Sequence, residues 1–221
     1  MAVEKEPVIE LKNVYKSFGT KYVLRGLDLS IYKGESIVLL GQSGMGKSVS
    51  VRLMLGLMDV DSGSIKINGK EITNFSEEEF YENNRKIGML FQNGALFDSM
   101  SVWENVAFGL IENQKMPKKR AKAEAIRVLR QVGLAPDVAD LSPSELSGGM
   151  QKRVSFARAI VTEPKIILYD EPTARLDPIS STLIEDYIVR LKQETNAASI
   201  VVTHQMSTIQ RTADSVLMLY N

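Results

Sequence analysis

Apolar residues recur along this chain with two periods, and the changes of period mark out its elements. Near the start, Val8 to Leu11, Val14 to Phe18, Tyr22 to Leu24 and Leu27 to Ile31 alternate with polar residues in period two, the pattern of strands with one wet face. After a turn at Gly34, Ser36 to Leu40 is an almost unbroken apolar run of strand length, consistent with burial on both faces. A helical stretch follows from Val49 to Leu55. Asp61, Ser62 and Gly63 then form a turn, and Ser64 to Ile67 and Glu71 to Ile72 flank Asn68-Gly69-Lys70, a hairpin signal. The opening third therefore reads as an antiparallel sheet beside a buried-strand core.

Ser76 to Glu79 spells a capping box that starts a short helix, and Ile87 to Phe91 is a buried-strand run ending at Gln92. Beyond it the texture turns helical, with Trp103 to Leu110 and then Lys119 to Val132, where Ile126, Leu129 and Val132 share one face. The basic cluster Lys118, Lys119 and Arg120 reads as a solvated helix start. From about 93 to 146 the chain is thus an inserted helical subdomain. Next comes a helix from Ser147 striped by Val154, Ala157, Ile160 and Val161, then a strand from Lys165 to Tyr169 ending at Asp170-Glu171. Asp177 is an N-cap with Pro178 at the first helical position, followed by an apolar face of Leu183, Ile184, Tyr187, Ile188 and Leu191. Strands from Ser199 to Thr203 and Ser215 to Tyr220 close the pattern. Strands alternating with crossover helices predict a parallel α/β sheet.

Composition narrows this picture only a little. At 221 residues and 44% hydrophobic, the chain reads as one domain with a sizeable core. Its 27 basic and 27 acidic residues cancel, so charge gives no pull toward nucleic acid or an anionic membrane surface. The absence of cysteine excludes disulfides and thiolate metal sites. Apolar runs fall far short of the ~20 residues that span a bilayer, and Met1 to Pro7 lack a signal-peptide apolar region.

The chemistry concentrates in three places. Gly41, Gln42, Ser43, Gly44, Met45, Gly46, Lys47 and Ser48 have the G-x-x-x-x-G-K-[ST] spacing between a strand and the helix entered at Val49. Small residues there let backbone N–H groups curl round phosphate oxygens in front of a helix N-terminus. Lys47 then reaches the β- and γ-phosphates of a nucleoside triphosphate, and the Ser48 hydroxyl holds Mg²⁺. Asp170 and Glu171 stand at the carboxyl end of a buried strand, the edge where parallel α/β sheets bind ligands. An Asp there can share the Mg²⁺, and a Glu can deprotonate a water in line with the γ-phosphate. Ser147, Gly148 and Gly149 open a helix with exposed donors and form a second anion site.

With these residues in view, the chain resembles the nucleotide-binding subunit of an ATP-binding-cassette (ABC) transporter along nearly all of its length. Gly41 to Ser48 match the Walker A motif, Ile166 to Asp170 Walker B, Gln92 the Q-loop glutamine, Leu146 to Gln151 the signature motif, Leu176-Asp177 the D-loop and His204 the switch histidine. The resemblance implies an α/β P-loop NTPase fold, a RecA-like parallel core with an N-terminal antiparallel β-subdomain and the inserted helical subdomain. It implies ATP and Mg²⁺ as cofactors. Ser48, Gln92 and Asp170 are then the metal ligands, and Glu171 is the catalytic base, assisted by Gln92 and His204. Phe18 stacks on adenine, and Ser147, Gly148, Gly149 and Asp177 close on nucleotide from a second copy in a head-to-tail homodimer. A lone histidine after a strand is more often structural; its place after Ile200 to Thr203 is what favours the functional reading. Two positions depart from the family pattern, Arg175 in place of a small D-loop residue and Gln205 in place of the usual aspartate after His204.

The run from Gly94 to Val106, with Gly46 to Val49 and Leu176 to Ser180, resembles the Mla/Mce-type ATPases that energise phospholipid or lipid traffic between inner and outer membranes. Apolar residues in that run are expected to form a docking groove for a membrane permease, with an MCE-type lipid-binding component in the same complex and no nucleic-acid partner. The expected location is the cytoplasmic face of the inner membrane, held by the permease. A different cargo (lipoprotein, peptide or small solute) and a non-transport cassette acting on DNA or ribosomes are the competing readings. By family standards a further strand follows Asn221, so the C-terminal end is expected to be truncated.

Overall fold

The computed structural model describes residues 6 to 220; the readings made on Met1 to Lys5 and on Asn221 lie outside them. Two sheets organise the chain. Strands β1 (Ile9–Phe18), β2 (Lys21–Ile31), β4 (Ser62–Ile67) and β5 (Lys70–Glu71) form an antiparallel sheet in the order β2-β1-β4-β5. Strands β3 (Ser36–Leu40), β6 (Ile87–Leu90), β7 (Ile166–Asp170), β8 (Ala198–Val202) and β9 (Ser215–Met218) form a parallel sheet in the order β6-β7-β8-β3-β9. The two segments read separately at Val8 to Leu11 and Val14 to Phe18 are one strand. Its register shifts where Asn13 takes φ 50° and donates its N–H to Asp28 Oδ1 at 2.7 Å.

The parallel strands show why their sequences are continuous rather than alternating. Ile37 and Leu39 of β3, with Ile166 and Leu168 of β7, face a core shared with the antiparallel sheet and with α1 (Lys47–Met54). Val38, Ile167 and Tyr169 face the opposite way, into a second core made with the helices. Each face buries aliphatic groups worth ~1.5–3 kcal/mol apiece. That second core holds α3 (Val102–Glu112), α4 (Lys118–Gln131), α5 (Gly148–Ile160) and α6 (Pro178–Thr195), while α2 (Glu77–Asn84) and α7 (Met206–Thr212) are short connectors.

Ser76 forms the expected capping box with Glu79, and Ser101 with Glu104 forms another that starts α3 one residue before Trp103. Several apolar faces differ from their expected membership. On α4 the buried residues are Ala121, Ala125, Val128 and Leu129; Ile126 is only partly covered, because small alanines let the helix approach its neighbours on a face rotated from the one the large residues suggested. Ile160 of α5 is likewise partly covered. On α6, Ile184, Tyr187 and Ile188 are buried, but Leu183 is 37% exposed at the edge of the stripe. The basic cluster opening α4 is exposed, as a solvated helix start requires.

Candidate functional site

The parallel sheet gathers the candidate residues by register. Leu39, Val202 and Asp170 lie level across β3, β8 and β7, and Leu90 pairs with Tyr169 one residue earlier. Gly41, His204, Glu171 and Gln92 each follow within two residues of a strand's carboxyl end. At ~4.8 Å between strands, the edge from β6 to β3 spans ~15 Å, the scale of a nucleoside triphosphate and the groups acting on it.

The loop from Gly41 to Ser48 is built for close approach. A Cβ on Gly41 would meet the Leu219 carbonyl at 2.7 Å, and one on Gly46 would meet Leu24 at 2.7 Å. Gly46 caps α1 at φ 94° with no side-chain bond, so the first N–H groups of the helix point into the loop without intrahelical acceptors. Lys47 folds over that space, its ammonium donating to the carbonyls of Gly41 at 2.6 Å and Gln42 at 3.0 Å. Those bonds would be exchanged for phosphate oxygens, which bind the charge more strongly. Ser48 lies exposed beside it, and Met45 and Val49 are partly covered.

Asp170 and Glu171 differ sharply although adjacent. Burial, reinforced by the Glu171 charge, pushes the Asp170 carboxyl above the usual carboxylate range, and Arg52, Lys152 and Lys47 offset part of this. A carboxylate so placed gains from a cation. Mg²⁺ fits this donor set, one carboxylate with the Ser48 hydroxyl and the Gln92 amide, because the ion is usually held by one or two carboxylates together with substrate phosphates. Glu171 sits at φ 47°, a left-handed conformation that costs a non-glycine residue ~1–2 kcal/mol. Its N–H donates to the Val202 carbonyl at 2.8 Å, which pins it in place. Its Oε1 accepts from His204 Nδ1 at 2.9 Å, while its Oε2 is buried without a partner. An orphaned buried carboxylate oxygen is an acceptor whose desolvation is uncompensated, and such groups mark candidate functional positions.

His204 is mostly exposed, with Nδ1 turned to Glu171 and therefore Nε2 turned outward. The sequence gives no sign of this pairing, which joins the ends of two strands. Gln205 accepts a hydrogen bond from Thr173 Oγ1 at 2.8 Å and so ties the histidine's segment to the stretch leading to Asp177. An aspartate there could accept that bond, whereas the glutamine amide also reaches the Thr173 carbonyl at 3.4 Å. Arg175 is exposed at φ 63°. Phe18, 48% exposed, offers a ring face with Lys16 Nζ 5.7 Å from its centroid.

The second anion site stands apart. Ser147 caps α5, accepting from the Met150 N–H at 3.3 Å, and a Cβ on Gly148 would meet nothing within 4 Å. A Cβ on Gly149 would lie 3.1 Å from Ser180 Oγ, so this tip stands beside the start of α6. There Asp177 accepts from the N–H groups of Ile179 and Ser180 at 3.0 and 2.9 Å; the Ser180 side chain first, then these N–H groups, hold its carboxyl below its usual range.

Gln92 lies in an exposed turn beyond β6, gripped through its carbonyl by Lys152. Lys152 was missed in the sequence. It lies four residues before Phe156 on the buried face of α5, so helical spacing alone would have found a cation inside the core. Burial pulls its ammonium down to about 8, although Asp170 and Glu171 pull it up. Further out, the Gly94 to Val106 run divides between core and surface. Val102 and Val106 are core, while Phe97 (42% exposed) packs against Phe108 at 5.0 Å with Phe91 also exposed. Asn105 is buried and fastens this loop, accepting from the Phe97 N–H at 2.7 Å and donating to the Phe97 and Met100 carbonyls.

Comparison with known proteins places the chain in a family. The family model described as ABC transporter matches residues 24–174. Over 98% of its length the chain is 44% identical to Protein TRIGALACTOSYLDIACYLGLYCEROL 3, chloroplastic, of Arabidopsis thaliana, covering 67% of that protein. It is 40% identical to the probable ribonucleotide transport ATP-binding protein mkl of Mycobacterium leprae, over 96% of the chain and 61% of that protein. It is 37% identical to the spermidine/putrescine import ATP-binding protein PotA of Haemophilus influenzae, over 98% of the chain and 56% of that protein. The chain thus spans roughly 56–67% of the length of these relatives. Among solved structures it is similar to a dimeric ATP-binding cassette in a post-hydrolysis state with ADP and Pi, at TM-score 0.87 and 30% identity over 96% of the chain and 94% of that one. The chain belongs to the ABC transporter family, and its fold is that family's ATP-binding ATPase cassette.

Proposed function

We propose that this chain is the ATPase of a transporter in which two copies bind two ATP molecules head to tail and drive a membrane permease that moves lipid. The observation that carries the catalytic part is Glu171, a strained residue with one carboxylate oxygen on His204 and the other buried and unpartnered at the edge bearing Gly41 to Ser48. Glu171 takes a proton from the attacking water. Lys47 and the N–H groups from Gly44 to Val49 bind the β- and γ-phosphates, and Phe18 stacks on the adenine. Ser48, Asp170 and the Gln92 side chain hold Mg²⁺, which neutralises charge on the transferring phosphoryl group when bound. For His204 to reach the γ-phosphate through Nδ1 it must release Glu171; through Nε2 it can do so while keeping it.

Ser147, Gly148, Gly149 and Asp177 serve the partner copy's nucleotide in this reading, which the open space beside Gly148 admits. The domain organisation follows, with the segment from about 93 to 146 as the helical insert carrying the permease contact at Phe97 and Phe108, beside the exposed Phe91 that precedes it. Among the described residues no helix is long and apolar enough to cross a membrane. Attachment through a permease, on the cytoplasmic face, supplies that connection in this reading.

Lipid cargo is favoured by the similarity to a protein named for trigalactosyldiacylglycerol and by the Mla/Mce-like run, with an MCE-type component as lipid carrier. A second reading, small-solute transport, is favoured by relatives named for ribonucleotide and for spermidine/putrescine. Co-purification of the chain with its permease, followed by mass spectrometry and ATPase assays in phospholipid vesicles, tests the choice. Lipid transport predicts bound phospholipid and lipid-stimulated turnover. Stimulation by a polyamine or ribonucleotide, with no lipid bound, contradicts it.

A further inference from the structure

Helix α5 does more than present Ser147, Gly148 and Gly149 at its tip. Lys152 lies just over one turn behind them, 6% exposed. Its ammonium donates to the carbonyl of Gln92, with the carbonyls of Phe91 and Glu171 each at 3.4 Å. Those oxygens belong to two separate elements, the turn beyond β6 and the strand end of β7. On the following turns of α5, Ser155 and Arg158 extend the grip, donating to the Gly94 carbonyl at 2.7 Å each, and Arg158 also to Ala95 at 2.7 Å. Of these three side chains, Lys152 is the one that also reaches Glu171.

A buried ammonium is costly, and a role in packing alone would be met by an apolar side chain of the same length. What a cation adds is three N–H donors radiating from one atom, which suits three main-chain oxygens converging from two segments. The Glu171 carbonyl also accepts from the Ala174 N–H at 3.2 Å, so the left-handed residue is braced on both sides of its side chain.

We propose that Lys152 is a positioning residue for ATP hydrolysis, fixing the main chain at Gln92 and Glu171 relative to each other from the helix whose tip presents Ser147 to Gly149. This rests on the assignment of Gln92 and Glu171 to hydrolysis. Lys152→Met in the full chain keeps the buried stem and removes every donor. Misplacement of a catalytic group on this scale predicts a fall in kcat of about tenfold to a hundredfold, with KM for ATP within about threefold of the parent. Lys152→Gln, which restores amide donors, recovers kcat to within about fivefold of the parent on the same reasoning. A folded Lys152→Met variant with parental kcat overturns the proposal, as does a loss that Lys152→Gln fails to recover. Should Lys152→Met not fold, by circular dichroism, Lys152→Gln decides alone: a folded variant slowed tenfold or more overturns it. Unimpaired hydrolysis by Glu171→Gln would instead remove the assignment of Glu171, so the two readings fail separately.

Discussion

Two helix starts in this chain offer backbone donors and a serine hydroxyl, and what lies behind each differs. The start of α1 has no side-chain cap; Lys47 folds across its loop, and Asp170 and Glu171 stand at the end of β7, across β8 on the same sheet edge. The start of α5 is capped by Ser147 and opens at Gly148 onto free space, with Asp177 and Ser180 of α6 as its neighbours. One therefore has a cation, two carboxylates and a histidine at hand, and the other has its donors and one carboxylate, Asp177, already engaged as the cap of α6. The difference teaches that phosphate-binding geometry by itself does not make a hydrolytic site; the sheet edge behind it does.

The sharpest way to break this contrast is at Glu171. Glu171→Gln keeps the shape and loses the base, so turnover should fall by ~10²–10⁴-fold while ATP binding, followed with a fluorescent analogue, persists. Unchanged hydrolysis would move the base elsewhere. The next largest effect is expected at the other helix start. Gly149→Asp puts an anion where phosphate should come, yet an aspartate suits the first turn of a helix, so the fold survives. Turnover should drop at least ~10-fold with nucleotide binding to the isolated chain intact, since only the partner's donors are lost. A smaller effect sharpens the role of Asp170. Its pKa lies above the unfolded value, so near neutral pH its charge opposes folding; Asp170→Asn should raise the melting temperature without ligand and abolish the extra stabilisation Mg²⁺ gives with ATP. A lowered melting temperature without ligand would show that the carboxylate is already well satisfied.

Much of this was legible because it is local. The Gly41 to Ser48 spacing, the Asp170-Glu171 strand end, the capping box at Ser76 and the N-cap at Asp177 are each set within a few residues, and the buried strands announce themselves by continuous apolar sequence. What could not be read depends on contacts across the sheet. The Glu171–His204 bond joins two strand ends 33 residues apart, and the grip of Lys152 on Gln92 spans 60. Face assignments failed where small or edge residues decide packing, at Ile126 beside Ala121 and Ala125 and at Leu183. Gln205 stood out in the sequence as a departure, but its reason, the bond from Thr173, is a tertiary contact.

The central claim is that a working site takes Gly41 to Ser48 from one chain and Ser147 to Gly149 from another. Mixing two inactive variants tests it most directly. Lys47→Ala destroys one half of the site and Gly149→Asp the other, so a mixed dimer holds one site intact in both halves. With random pairing, an equal mixture should recover up to about a quarter of the parental ATPase activity. A mixture as inactive as its two components, with mixed dimers demonstrated by differential tagging, would contradict the account.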